Sequence, residues 1–124
     1  MAVSYTLTGT LQVTDGVSST PLSKPLSFTY SGTLMALMTL SVAAAPTVIA
    51  LPISPTQLVF IKNTHATQTL QVTWTPNGGA SVVVQTLVPG SCILLAQVTA
   101  AQGITALTLE GSGAATTCDV YLLG

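Results

Sequence analysis

His65 is the chain's single histidine. With Cys92 and Asp119 it completes the residue types of a thiol nucleophile, a base and an orienting carboxylate. Any chain with one histidine supplies such a set, and no local signature surrounds Cys92. His65 lies in KNTHATQT, which reads as a solvated loop. One histidine and two cysteines, Cys92 and Cys118, fit no zinc spacing. Asp15, Glu110 and Asp119 are scattered, so neither a calcium loop nor a pair of glycosidase carboxylates is readable. Gly78 and Gly79 belong to a hairpin rather than to a phosphate loop between strand and helix. Trp74, Tyr30 and Tyr121 offer the material of a sugar platform, but Trp74 alternates with Leu70 and Val72 and reads as core. The expectation is no catalytic residue, no metal and no cofactor. For Cys92 and Cys118 a disulfide stays open. Two small buried side chains is the favoured reading.

The elements that would position any site read as strands. Tyr5, Leu7, Gly9, Leu11 and Val13 alternate with Thr6, Thr8, Thr10, Gln12 and Thr14. Asp15–Gly16 supplies turn chemistry. Leu22, Leu26, Phe28 and Tyr30 continue the alternation, with Pro21 and Pro25 marking an edge or loop at its start. Further strands are expected over 34–42, 47–51, 57–63, 69–75, 81–88, 92–98, 104–110 and 118–123. Pro76-Asn77-Gly78-Gly79 and Pro89-Gly90-Ser91 turn the chain between them. Leu7, Leu11, Phe28, Leu70, Val72 and Trp74 are expected to face a core. The result is an all-β fold, an antiparallel, jelly-roll-like β-sandwich of about 8–10 short strands. With 124 residues it is expected to be one domain, 1–124.

Composition limits the partners. Charged residues make up 4% of the chain, where an ordinary domain carries about 25%. Net charge is −1, which gives no footprint for nucleic acid or anionic lipid. Hydrophobic residues are 48%, enough to exclude disorder. Leu34 to Leu51 reaches the length of a spanning helix, but Pro46 interrupts it and its first half alternates. Two buried strands broken near residues 43–46 fit it better, and no membrane span is expected. MAVSYTLTGT has no basic start and no apolar core, so no signal peptide is expected. Near-zero charge favours association. Thr, Ser and Gln facing outward are cheap to dehydrate when paired, whereas a buried charge is not. Association is therefore read as the normal condition, as a homo-oligomer, dimer or trimer. Met35 and Leu37 beside Leu34 and Leu40 are the expected interface, since one face of that strand must fill the core and the other needs a partner.

The segment LVFIKNTHATQTLQVTWTPNGGASVVVQTLVPGSCILLAQ resembles the small β-sandwich structural proteins of tailed-bacteriophage virions. The resemblance rests on Ile61-Lys62-Asn63-Thr64, the Trp strand Leu70 to Pro76, the glycine hairpin Asn77 to Ala80, and the Leu87 to Gly90 turn. It covers roughly the C-terminal half. It implies a non-enzymatic capsid decoration or cement subunit on the virion surface, with the major capsid protein or other virion subunits as partners. It transfers no catalytic residue. Another self-assembling virion subunit (coat, tail or fibre) or a pilin-like one shares the same chemistry. A secreted carbohydrate-binding β module is the more distant alternative.

Overall fold

The computed structural model describes residues 3–13, 22–32, 34–79, 81–96 and 102–124. Ten strands run along them: β1 (Val3–Val13), β2 (Leu22–Gly32), β3 (Met35–Val42), β4 (Thr47–Val48), β5 (Leu58–Asn63), β6 (Leu70–Pro76), β7 (Val83–Leu87), β8 (Cys92–Ala96), β9 (Ile104–Gly111) and β10 (Thr116–Leu123). Each falls where alternation or an apolar run placed a strand. The chain divides into two compact units, Met1–Gly32 and Thr33–Gly124.

The first unit is a two-stranded antiparallel hairpin. Tyr5 stands opposite Tyr30 and Leu7 opposite Phe28. Pro25 sits opposite Thr10 within β2, so the strand continues through it. A two-stranded ribbon has only edges, where a missing N–H is tolerated. The core roles expected of Leu7, Leu11 and Phe28 concern side chains outside the described residues.

The second unit is an antiparallel sandwich of two four-stranded sheets, ordered β3-β10-β5-β8 and β4-β9-β6-β7. Counted from β3, these orders are first-eighth-third-sixth and second-seventh-fourth-fifth, the double Greek key of a jelly roll. The order has a simple origin. Val42 faces Thr116, Thr47 faces Leu109, Lys62 faces Cys92, and Leu70 faces Leu87. Every one of these pairs is centred on Asn77–Gly79. The chain is thus one long ribbon, doubled back at that turn and then rolled. Rolling adds the β5–β10 and β6–β9 pairings. At the fold-back point Gly79 N–H donates to the Pro76 carbonyl at 3.1 Å, and Gly78 has φ 70°. That is the pattern of a type II turn, in which the third residue needs positive φ and glycine adopts it freely.

The core lies between the sheets. Val42, Val59, Ile61, Cys118, Val120 and Leu122 come from the first sheet, and Leu70, Val72, Leu87, Leu107 and Leu109 from the second. Trp74 is half-buried against them. At Pro76 the β6–β9 register shifts by one, where proline has no N–H for the ladder. Leu34 to Leu51 forms β3, a break at 43–46, and the two-residue β4. The expectation of two buried strands is corrected in part, because β3 buries only alternate residues and Val48 is exposed. Among the described residues no helix is long and apolar enough to cross a membrane.

Candidate assembly surfaces

The residues that sequence put forward for chemistry are not brought together. Cys92 lies on the edge strand β8 and Asp119 on β10, with Lys62 of β5 between them in register. Two strand spacings separate Cys92 from Asp119, about 10 Å. His65 is half-buried rather than solvated. Its Nδ1 accepts the backbone N–H groups of Thr67 at 3.1 Å and Gln68 at 2.9 Å. The ring proton therefore sits on Nε2 in the neutral form, and Nδ1 is not free to act as a base. His65 holds a loop.

That loop belongs to a polar cluster with no sequence signature. Asn63 is fully buried. Its Nδ2 donates to the carbonyls of Gln68 at 2.8 Å and Leu87 at 3.0 Å, and its Oδ1 accepts from His65 N–H at 3.0 Å. Thr116 Oγ1 donates to Gln68 Oε1 at 2.7 Å. A side chain on Gly113 would meet the amide end of Gln68, which would have to move aside. Asn63 thereby ties the end of β5 to the end of β7 and to its own loop. A buried amide with these bonds made is tolerated, where an unpaired one is not.

The two thiols also separate. Cys118 is buried and Cys92 exposed. β5 lies between their strands, and a Cα separation of about 10 Å exceeds disulfide reach. The expectation of two buried cysteines is corrected for Cys92, whose strand is a sheet edge. Burial, and then the neighbouring Asp119 carboxylate, raises the Cys118 thiol to about 11. It packs as an inert apolar group.

Among the described residues no three metal-ligating side chains gather. A shallow depression of about 200 Å³ is lined by Thr69, Gln71, Thr86, Glu110, Gly111 and Ser112. One carboxylate among hydroxyls and an amide has no second acid or base to work with. Trp74 and Tyr121 do not come together as a sugar platform. Trp74 and Tyr121 belong to different sheets, and the Tyr30 side chain lies outside the described residues.

What the geometry does present is surface rich in exposed apolar side chains. On the outer face of β3-β10-β5-β8, register aligns Leu37, Tyr121, Phe60 and Leu94 in one row across all four strands. Leu37 is 59% exposed and Tyr121 39%, and the Phe60 and Tyr121 rings meet at 5.5 Å. Met35 is exposed in the next row. Met35 and Leu37 thus stand on the outer side of β3, while Ala36, Met38 and Leu40 pack on the core. The second surface is the edge strand β7. It is paired on one side only, to β6, and Val82, Val83 and Val84 are exposed. Gln85 and Thr86 follow, also exposed, with neither a charge nor a proline between Val82 and Val88. A row of free backbone groups carrying β-branched side chains is a template for another strand.

No family model matches the chain, and no curated protein matches it. A solved structure is similar, from work on Bacillus endospore appendages that form a novel family of disulfide-linked pili. It is 16% identical with a TM-score of 0.50, over 72% of this chain and 83% of that one. That likeness is one of fold.

Proposed function

We propose that this chain is a non-enzymatic structural subunit that polymerises with copies of itself into an extracellular, appendage-like assembly. The observation that carries this reading is the β7 edge, uncharged and exposed through Val82 to Thr86. Soluble proteins that stay single block such an edge with lysine, proline or a covering loop. This one leaves it open while carrying 4% charged residues in all. Likeness in fold to a pilus-forming appendage protein supports the reading, as does the exposed thiol of Cys92, which in oxidising surroundings is free to link subunits.

The test is electron microscopy with sedimentation of the purified chain. Long polymers are expected from the parent, and Val84→Lys is expected to abolish them while keeping the β spectrum. A parent that stays monomeric under oxidising conditions overturns the proposal.

A second reading, a decoration or cement subunit on a virus shell with the major capsid protein as partner, keeps one support. The double-sheet jelly roll is an architecture that viral capsid domains also use. It differs in outcome: the chain would form a dimer or trimer and saturate a shell without polymerising alone.

A further inference from the structure

We propose that the outer face of β3-β10-β5-β8 pairs with the same face of a second copy across a two-fold axis, matching Lys62 of each with Asp119 of the other. The inference rests on the chain being an assembling subunit, but it concerns a surface other than the β7 edge.

Register sorts this face into rows. Leu37, Tyr121, Phe60 and Leu94 form one, and Thr39, Asp119, Lys62 and Cys92 form the next. Two of the chain's five acidic and basic residues therefore lie side by side on this face, with opposite signs. Thr39 Oγ1 donates to Asp119 Oδ1 at 2.9 Å, which fixes the carboxylate in the row, and Lys62 is exposed.

Consider a two-fold axis in the plane of contact, parallel to the strands and running between β10 and β5. It places β3 over β8 of the second copy and β10 over β5, and it leaves every row at its own height. The apolar row then meets itself, Tyr121 over Phe60 of the second copy and Leu37 over Leu94. The charged row also meets itself, Asp119 over Lys62 of the second copy and Lys62 over Asp119. Face-to-face sheets pack about 10 Å apart with strands nearly aligned, which this arrangement satisfies. An isologous contact needs a self-complementary patch, and the order of charges in the row supplies one.

The experiment uses the full chain with Val84→Lys, so that edge polymerisation is off. Sedimentation is expected to show a dimer. Adding Lys62→Glu makes the face doubly acidic, and adding Asp119→Lys makes it doubly basic. Each variant is expected to dimerise at least about tenfold more weakly, since like charges then face each other. Mixed in equal amounts, the two are expected to regain dimerisation to within about threefold of the background protein. A purely internal role for the Lys62–Asp119 pair gives no such rescue. If Asp119→Lys loses the β spectrum, Asp119→Asn takes its place, and its mixture with Lys62→Glu is expected to dimerise more tightly than Lys62→Glu alone. A mixture that stays monomeric overturns the proposal. So do a monomeric background protein and single variants that dimerise undiminished. Failure of the parent to polymerise counts against the proposed function and leaves this test standing.

Discussion

The two sheets of the sandwich share strand number, antiparallel pairing and core, yet the centres of their outer faces differ in kind. On β9 and β6 the outward residues are Thr108, Glu110, Gln71, Thr73 and Thr75, and Thr73 stands opposite Thr108 while Gln71 stands opposite Glu110. On β3, β10 and β5 they are Leu37, Tyr121 and Phe60, with Met35 beside them. The hydroxyls and amides at the centre of that face keep their water, while Val48 and Val84 stand exposed at its flanks on β4 and β7. A face of leucine and aromatic rings gives it up on contact. Charges are few on both, Asp119 and Lys62 on one and Glu110 on the other, so low charge alone does not mark a contact surface. What marks it is apolar residues falling into register across several strands.

Three measurements press on that comparison. The first strikes what the faces share. Leu109→Ala in the second sheet and Leu122→Ala in the first each empty a fully buried site, and each is expected to cost about 3 kcal/mol in urea unfolding. Losses differing by more than about twofold would mean that the sheets differ inside as well as outside.

The second finds an asymmetry that belongs to the apolar-faced sheet alone. The Cys118 thiol is raised from 9.0 to about 11 by burial and by Asp119. The folded state therefore holds the thiol proton more tightly than the unfolded chain. That stabilisation is complete below about pH 9 and is lost as pH climbs toward 11, a fall of about 2 kcal/mol at roughly 1.4 kcal/mol per unit. The stability difference between the parent and Cys118→Val, followed across this range, is expected to show that slope. A flat difference would mean that the thiol is already wet.

The third and smallest in stability contrasts the faces directly. Leu37→Lys and Thr73→Lys should each change folding stability by less than about 0.5 kcal/mol, as substitutions outside the core do. Association measured by sedimentation should fall at least about tenfold for Leu37→Lys and stay within about twofold for Thr73→Lys. Equal responses would erase the distinction between the faces.

Much of the fold was legible because strands announce themselves locally. Alternation in Leu70, Val72 and Trp74 marked a strand, and Pro76 to Gly79 marked the turn at the centre of the ribbon. Met35 and Leu37 were readable as outward because their neighbours on β3 had to face the core. Other features depend on which strands become neighbours, and no window of sequence carries that. Cys92 and Cys118 look alike in the chain, but one sits on an edge and the other on a central strand. Asn63 reads as the end of a strand, and only the approach of Leu87 makes it a buried tie. His65 reads as a wet loop residue until Thr67 and Gln68 close over its Nδ1. The row from Leu37 to Leu94 spans three pairings, each set by the rolling of the ribbon.

The doubling of the chain about Gly78 also sets the order in which the molecule can form. Leu70 and Leu87 are joined by a short loop once the turn is made, whereas Val42 and Thr116 are far apart along the chain. Closing a distant pair first carries a larger entropy cost than extending a ribbon already closed nearer its turn. Pairing that proceeds outward from Gly78 meets only small increments, and reaches the rung where Leu34 N–H donates to the Gly124 carbonyl last. The glycine that bends the finished sandwich is also the point about which the shortest loops close.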